Sequence, residues 1–335
     1  VIVLDEPTAA LTDHEIEELF RVIRDLKSKG AAIVYISHRM DEINVISDRI
    51  TVMRDGEYVG VLDAHTCTKD DIIKMMVGRT VFIEPKTKSQ VPEGAKVLLR
   101  CEHLNRGKFV QDVSFEVHAG EIIGFSGLMG AGRTETARLI FGADKMDSGK
   151  IFIDGKEVAI KSPKDAVAHG IGYLSEDRKR FGLLVDKSVE ENTVIASLSK
   201  FISSMNFIDQ NKTEEVSKEY VKELKTKTPS VKQIIKKLSG GNQQKVVIAK
   251  WLSDDSDILI FDEPTRGIDV GAKSEIYALM ESLAKQGKAI IMISSELPEI
   301  LRMSDRVAVM CEGKLTGILP IEECTQEKIM ALATR

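Results

Sequence analysis

The feature that most constrains the fold is an internal repeat. Val1–Leu62 aligns with Ile258–Leu319 at a constant offset of 257 residues and without a gap, and about a third of the aligned positions are identical. The segment VIVLDEPT matches ILIFDEPT, and SDRITVMRDG matches SDRVAVMCEG. This period is several times longer than the roughly 20–50 residues of solenoid and propeller repeats. The repeated unit is therefore a whole domain. We expect the second copy to be complete and the first to be only the C-terminal part of its domain.

Composition places the chain among ordinary globular proteins and narrows its partners. Of its 335 residues, 43% are hydrophobic and 30% are charged, which excludes a disordered, collagen-like or coiled-coil chain. The 47 Lys and Arg residues are outnumbered by 52 Asp and Glu residues, so the basic surplus of a nucleic-acid-binding protein is absent. No apolar run reaches the roughly 18 residues of a membrane span. The four cysteines show neither metal-binding nor disulfide-framework spacing, so we expect a cytosolic protein with reduced thiols and no nucleic-acid partner.

Alternating strands and helices predict an α/β fold around a mostly parallel sheet. In Asp13–Ser28, apolar residues recur at helical spacing between short apolar strands. The stretch 78–96 loses this period and contains two prolines and three lysines, which is typical of a linker. We therefore predict residues 1–77 as the C-terminal part of a first domain, 78–96 as a linker, and 97–335 as a complete second domain.

A strand-to-helix junction in the second copy carries a glycine-rich loop. It fits the phosphate-loop pattern G-x-x-x-x-G-K-[ST], except that Arg133 replaces the lysine with a larger planar cation that is not equivalent. Backbone N–H groups and the helix N-terminus of such a loop bind phosphate oxygens, and the Thr134 hydroxyl would bind Mg²⁺. A glycine-rich turn that binds nothing is the alternative. The predicted phosphate-binding residues are Gly127, Leu128, Met129, Gly130, Ala131, Gly132, Arg133 and Thr134.

Two further segments strengthen this interpretation. The apolar strand Ile258–Phe261 ends in Asp262 and Glu263, and a carboxylate pair at the end of a buried strand can hold Mg²⁺ and polarise an attacking water. The alternative is that the two carboxylates only cap the next helix. The heptad LSGGNQQ, at Leu238–Gln244, precedes a helical run, so Ser239 suits a helix N-cap and its two glycines let backbone amides approach an anion.

Taken together, the motifs resemble those of ABC ATPases. LSGGNQQ is similar to the ABC signature motif, ILIFDEPT to the Walker B strand, and ISHRMDEI to the switch-histidine segment. With GLMGAGRTE and YLSEDRKRFG, the whole chain resembles the ATP-binding subunits of bacterial ABC-type monosaccharide importers of the ribose, galactose and xylose types. The resemblance implies a P-loop NTPase fold of the ABC ATPase type. It also implies ATP and Mg²⁺ sandwiched between the phosphate loop of one domain and the signature motif of the other.

One competent and one degenerate site are implied by the resemblance. In the second copy Glu263 would be the catalytic carboxylate, and Thr134 and Asp262 would hold Mg²⁺ beside the nucleotide. Arg133, Ser175 and Ser295 depart from the family's lysine, glutamine and histidine, so slow hydrolysis is expected there. The competent site would use catalytic Glu6 and His38 and nucleotide-binding Asp5 of the first copy, together with Ser239, Gly240, Gly241 and Gln243 of the second.

The implied function is ATP hydrolysis that powers monosaccharide import through membrane permease subunits. A substrate-binding protein would deliver the sugar to these subunits. The protein would lie on the cytoplasmic face of the membrane with its two ABC domains paired. This chain alone would be weakly active or inactive, because it lacks the first copy's phosphate loop. A soluble tandem ABC ATPase is disfavoured by the short linker and negative charge. An importer of nucleosides or signalling molecules and a non-hydrolysing regulatory module stay open.

Two smaller features also keep two interpretations each. The charge run Arg178–Arg180 fits either a solvated turn or, by resemblance, a loop against a membrane subunit. Phe109, upstream of the phosphate loop, is a candidate to stack on adenine, whereas Phe115 alternates with apolar strand residues and is predicted to belong to the core.

Overall fold

A computed structural model of the chain describes residues 1–8, 11, 13–37, 40–54, 57–68, 71–72, 75, 85–203, 206–268 and 270–334. It divides into two compact units, unit 1 with Val1–Phe82 and Asp269–Ser274, and unit 2 with Ile83–Ile268 and Glu275–Arg335. His38 and most of the helix predicted at 69–77 lie outside the described residues. Among the helices within these ranges, none is long and apolar enough to cross a membrane.

Over its described residues, unit 1 includes two pairs of strands and the helices that follow its first two strands. These are β1 (Ile2–Asp5), α1 (Asp13–Ser28), β2 (Ile33–Ile36), α2 (Met40–Ile46), β3 (Arg49–Arg54) and β4 (Glu57–Asp63). Strands β1 and β2 run parallel, and β3 and β4 run antiparallel. The helix predicted from apolar spacing is confirmed, and its stripe of Ile16, Phe20 and Ile23 is buried against Leu4 and Tyr35.

The described residues of unit 2 form a six-stranded sheet, a four-stranded sheet and the helices that follow their strands. Its first half has β5 (Val97–Arg106), β6 (Val110–His118), β7 (Ile122–Gly127), α3 (Arg133–Ile140), β8 (Ser148–Ile153), β9 (Lys156–Val158), α4 (Pro163–Ala168), β10 (Ile171–Leu174), α5 (Val189–Val194) and α6 (Gln210–Glu223). Its second half has α7 (Gly240–Leu252), β11 (Ile258–Asp262), the later part of α8 (Val270–Lys285), β12 (Ala289–Ile293), α9 (Leu297–Met303), β13 (Arg306–Cys311), β14 (Lys314–Pro320) and α10 (Gln326–Ala333).

The larger sheet of unit 2 brings the predicted site residues to one edge. Its order is β10-β11-β12-β7-β13-β14, with the first five strands parallel and β14 antiparallel. Strands β11, β12 and β7 are therefore consecutive in space, and parallel strands end at the same edge. That edge carries the end of β7 at Gly127, the end of β11 at Asp262, and the residues after Ile293. The smaller sheet, β6-β5-β8-β9, is antiparallel.

The sequence repeat is reproduced in the registers of the strands. Leu4 pairs with Tyr35 in unit 1, and Phe261 pairs with Met292 in unit 2, each 257 residues later. The β3–β4 hairpin has a register shift after Val52, and the β13–β14 hairpin has one at the equivalent place. The two copies therefore share their backbone plan even where their side chains differ.

Part of the predicted linker is fixed to unit 2. Lys86 Nζ lies 2.6 Å from Asp305 Oδ1, and the same oxygen accepts hydrogen bonds from Ser89 Oγ and the Gln90 amide. Asp305 is buried, and its second oxygen accepts from the Ile122 amide at 3.0 Å. A buried carboxylate needs such partners, so this contact anchors residues 86–90 beside the first residue of β7.

Candidate functional site

The glycine-rich loop of unit 2 leaves its helix N-terminus uncapped. Gly132 occupies the N-cap of α3 in a left-handed conformation, with φ +98°, and no side chain caps the helix. A Cβ atom there would collide with the carbonyl oxygen of Phe109, so the position requires glycine. Leu128, Met129 and Gly130 are exposed, whereas Ala131 is buried. The first amides of α3 therefore fit a phosphate group, and the helix dipole favours its negative charge.

Arg133 points its guanidinium to the neighbouring strand end. Its Nη1 donates a hydrogen bond to the Ser294 carbonyl oxygen at 2.8 Å. This places the positive charge between the phosphate loop and the residues that follow β12. The charge also acts to lower the pKa values of Asp262 and Glu263, against the stronger opposing effect of their burial.

Asp262 is fully buried and holds two hydroxyl groups. Thr134 Oγ1 donates to its Oδ1 at 3.1 Å, and Tyr173 Oη donates to its Oδ2 at 2.8 Å. Burial raises the pKa of Asp262, and burial together with the Asp262 charge raises the pKa of Tyr173. Hydroxyl and carboxylate oxygens are the ligands that Mg²⁺ prefers, and Mg²⁺ commonly takes only one or two protein ligands beside phosphate. The residues therefore fit this ion.

Glu263 combines a strained backbone with a shielded carboxylate. Its φ is +49°, in a region that non-glycine residues rarely occupy, and its amide donates to Ile293 O at 2.9 Å. Burial raises the pKa of its carboxyl group, and Ser295 Oγ donates to Oε2 at 3.2 Å. Glu6 of unit 1 has φ +47° and the equivalent bond to Ile36 O at 2.9 Å. The same unusual conformation thus occurs at both copies of this position.

The signature segment, Leu238–Gln244, is held mainly through its amide side chains. Ser239 is the N-cap of α7 by position, but its side chain makes no capping bond, and Ser239 Oγ accepts a hydrogen bond from the Asn242 side chain. Gln243 is buried and donates to the carbonyl oxygens of Ile235 and Leu238. The amides of Gly240 and Gly241 therefore begin an uncapped helix, as those of the glycine-rich loop do.

Arg178 is not the freely solvated residue that a charge run suggests. It begins a short π-helical turn, Arg178–Gly182, and its Nη1 donates to the Arg266 carbonyl oxygen at 3.0 Å. Its Nε lies 3.5 Å from Gln243 Oε1, and a Cβ atom on Gly240 would approach Nη2 to 2.8 Å. Burial lowers the pKa of this guanidinium. Arg178 thus connects the turn after β11 with the start of α7, whereas Lys179 and Arg180 are exposed.

The remaining predicted residues lie in different settings. Asp5 ends β1 and is exposed in unit 1, and His38 falls outside the described residues. Ser175 donates to the Asp177 carbonyl oxygen at 3.4 Å. Phe109 is 48% exposed and its backbone adjoins the glycine-rich loop, whereas Phe115 is buried in the core as predicted.

Comparisons with known proteins agree with this fold. Residues 110–266 match the family described as ABC transporter. In structure, the chain is similar to an ATP-binding cassette of an ABC transporter in its ADP conformation, with a TM-score of 0.61 and 22% identity over 71% of this chain and 98% of that one. Unit 2 has the ABC ATPase fold. The candidate site residues of unit 2 lie at the sheet edge described above.

Relatives with assigned names match the chain over its whole length. It is 56% identical over 335 residues to a "Putative ribose/galactose/methyl galactoside import ATP-binding protein 1" of Burkholderia lata, covering 100% of this chain and 65% of that protein. It is 53% identical over 333 residues to a "Ribose import ATP-binding protein RbsA" of Clostridium tetani, covering 99% of this chain and 66% of that protein. The chain thus spans about 65% of the length of these relatives.

Sequence reasoning missed two contacts of unit 2. Tyr173 reaches Asp262 because β10 is the neighbour of β11 in the sheet, and although this tyrosine opens the segment YLSEDRKRFG, nothing in that segment indicates what its hydroxyl contacts. Arg178 carried a signal, its place in a charge run, but that pattern does not separate it from the exposed Lys179 and Arg180.

Proposed function

We propose that this chain is part of the ATP-binding and ATP-hydrolysing subunit of an ABC importer of a monosaccharide. The observation that carries the proposal is the convergence of the uncapped α3 N-terminus, the Thr134–Asp262 pair and Glu263 at one sheet edge of unit 2. The class of substrate rests on the names of the relatives, which describe import of ribose, galactose and methyl galactoside. Monosaccharide is therefore the substrate class that we assign to the whole importer.

The residues of unit 2 would divide the work as follows. The amides of Gly127–Thr134 bind the phosphates of ATP, and Thr134 and Asp262 hold Mg²⁺, which supplies positive charge to the phosphate oxygens. Glu263 is placed to accept a proton from an attacking water, and its buried setting makes its carboxylate more basic. Ser295 cannot provide the ring nitrogen of a histidine, so we expect slow turnover at this site.

Within the same proposal, unit 1 supplies the C-terminal part of a second nucleotide-binding domain. Asp5, Glu6 and His38 of that domain would act on a nucleotide that also contacts Ser239, Gly240, Gly241 and Gln243 of unit 2. Segments 1–77, 78–96 and 97–335 are the corresponding domain, linker and domain. Opening and closing of the pair would drive permease subunits in the membrane, from its cytoplasmic face, while a substrate-binding protein delivers the sugar.

Nucleotide binding by this chain tests the proposal. Titration calorimetry should detect weak ATP binding that Mg²⁺ strengthens, with negligible phosphate release. Thr134→Val, which removes the hydroxyl but keeps the shape, should lose most of the Mg²⁺ effect. Thr134→Ser, the matched control, should keep it. Absence of ATP binding with and without Mg²⁺ would refute the proposal. Rapid ATP turnover by this chain would refute its assignment of unit 2 as the slow site.

Sugar import is tested at the level of the complex. The full-length subunit, reconstituted with its permease in liposomes, should hydrolyse ATP faster when the binding protein carries ribose or galactose. Equal stimulation by a nucleoside-loaded binding protein would favour the nucleoside importer instead.

A further inference from the structure

A buried carboxylate lies directly behind the site of unit 2. Glu299, on α9, is 3% exposed and accepts hydrogen bonds from three hydroxyl groups. Thr265 Oγ1 donates at 2.6 Å and Tyr277 Oη at 2.5 Å to Oε1, and Ser294 Oγ donates at 2.8 Å to Oε2. Burial and the Glu299 charge raise the pKa of Tyr277, so this hydroxyl keeps its proton and stays a donor.

The three donors come from segments that also carry the site. Thr265 lies two residues after Glu263, in the turn that leaves β11. Ser294 follows β12, and its carbonyl oxygen accepts the hydrogen bond from Arg133 of the phosphate loop. The next residue, Ser295, donates to Glu263. Glu299 therefore joins, through one carboxylate, the turn after β11 and the segment after β12.

Unit 1 contains a buried glutamate with the same three kinds of hydroxyl donor, but its tyrosine comes from a different element. Glu42 is 4% exposed, and its Oε2 accepts from Thr8 at 2.8 Å and from Ser37 at 3.2 Å. These residues are the counterparts of Glu299, Thr265 and Ser294 at the offset of 257. The tyrosine hydroxyl is also present, at 2.8 Å, but it comes from Tyr35 on strand β2 rather than from the helix.

The exchange of tyrosines is reciprocal. The counterpart of Tyr277 is Phe20, on α1, and the counterpart of Tyr35 is Met292, on β12. The rings of Phe20 and Tyr35 are in edge-to-face contact with centroids 6.3 Å apart, so the two positions face the same space. Each copy therefore places a tyrosine hydroxyl on the carboxylate, although it does so from a different element. A requirement for apolar packing alone would not keep the hydroxyl.

We propose that Glu299 is a positioning residue that fixes the segment after β12 against the turn after β11. Glu42 has the same role in unit 1. The inference rests on the proposed function, under which Ser295, the residue after Ser294, takes the place of the histidine that would contact the terminal phosphate of ATP. Loss of one donor loosens this segment, so it weakens contacts to the third phosphate while the phosphate loop still binds the first two.

The test compares ATP with ADP on the chain Val1–Arg335. Tyr277→Phe should lower ATP affinity about fivefold and ADP affinity less than twofold. The variant loses the hydrogen bond to the buried Glu299 carboxylate, and the segment that this bond holds would contact the terminal phosphate, which ADP lacks. The double variant Tyr277→Phe/Met292→Tyr reproduces the Phe20/Tyr35 pair of unit 1 and should restore ATP affinity to within twofold. Tyr220→Phe, on α6, is the matched control and should leave both affinities unchanged.

Each outcome bears on the inference. An equal fall in ATP and ADP affinity would show a purely structural role and overturn it. If the double variant does not fold, Ser294→Ala and Thr265→Val carry the test, since each removes one donor and must shift ATP affinity more than ADP affinity. Unchanged ATP affinity in Tyr277→Phe and in both of these variants would also overturn it. A wild-type chain that binds neither nucleotide would instead refute the proposed function on which it rests.

Discussion

A buried lysine behind the signature segment should make the stability of unit 2 depend on pH. Lys250, on α7, is 7% exposed, and its Nζ donates to the Gly182 carbonyl oxygen at 2.7 Å. Within the described residues, no carboxylate lies within salt-bridge distance of this amine, although the ammonium lies 4.4 Å from the Trp251 ring centroid. Desolvation therefore lowers the pKa of Lys250 from 10.5 to about 8. The lysine anchors the end of the turn that Arg178 begins.

The size and sign of the effect follow from this pKa. The decrease from 10.5 to about 8 corresponds to about 3 kcal/mol of destabilisation while the amine is charged in both states. Below pH 8 this cost is present in full. Between pH 8 and 10.5 the unfolded chain binds the proton more often than the folded protein, so the free energy of unfolding rises with pH. Above pH 10.5 the cost is gone.

Unfolding in urea, followed by fluorescence, measures the effect. Trp251 is the only tryptophan of the chain and is buried in unit 2, so its emission reports that unit. We expect the wild type to gain about 3 kcal/mol over Lys250→Met between pH 7.5 and 10.5, because titrations common to both proteins cancel in the difference. Lys250→Gln keeps a hydrogen-bond donor for the Gly182 carbonyl oxygen but carries no charge. The wild type should gain the same free energy of unfolding over this variant between pH 7.5 and 10.5, although the two proteins should differ less at pH 7.5 than the wild type and Lys250→Met do. A difference constant to within about 0.5 kcal/mol would refute the reasoning, since it would mean that the amine is not desolvated.

Two further predictions concern the walls of the site. Gly313→Ala places a Cβ atom 2.7 Å from the Lys108 carbonyl oxygen. This clash disturbs the Gly313 amide, which donates to the carbonyl oxygen of Ala131 in the glycine-rich loop. Calorimetry should therefore show ATP affinity at least tenfold lower. Gly287→Ala is the control, because its φ of +90° carries similar strain in open space, and an equal loss there would contradict the explanation. Arg178→Ala should raise amide hydrogen exchange across residues 239–243 about tenfold, since a charge-assisted hydrogen bond is lost. Exposed Arg180→Ala should not, and identical exchange in both variants would exclude a bridging role for Arg178.

Much of the fold follows from local sequence patterns. The spacing in Asp13–Ser28 is sufficient to predict α1, because a helix buries residues three and four apart on one face. The apolar run Ile258–Phe261 predicts a strand buried on both sides, and all of β11 is buried. The glycine-rich loop is predictable for a related reason, since only glycine tolerates the left-handed backbone and close packing at Gly132.

The contacts that sequence reasoning missed depend on the order of strands in space. Tyr173 reaches Asp262 because β10 packs beside β11, although 89 residues separate the two in the chain. Arg178 is half-buried because its turn meets α7 and the turn after β11. Residue type and local period contain neither piece of information. The predicted N-cap role of Ser239 is correct in position, but its side chain makes no capping bond and accepts a hydrogen bond from the Asn242 side chain.

Two of the three residues at which unit 2 departs from the family pattern are bonded to another part of the site, whereas the third, Ser175, is bonded to the Asp177 carbonyl oxygen two residues along the chain. Arg133, in the place of the phosphate-loop lysine, uses one N–H on the Ser294 carbonyl oxygen, and Ser295, in the place of the histidine, donates its hydroxyl to Glu263. The single hydroxyl proton of Ser295 must leave Glu263 before it can be donated to a phosphate, which costs free energy, whereas the Arg133 guanidinium keeps N–H groups that its bond to Ser294 does not use. The uncapped α3 amides and the Thr134–Asp262 pair do not depend on these two residues. Under the proposed function, this geometry favours nucleotide binding by unit 2 over rapid hydrolysis.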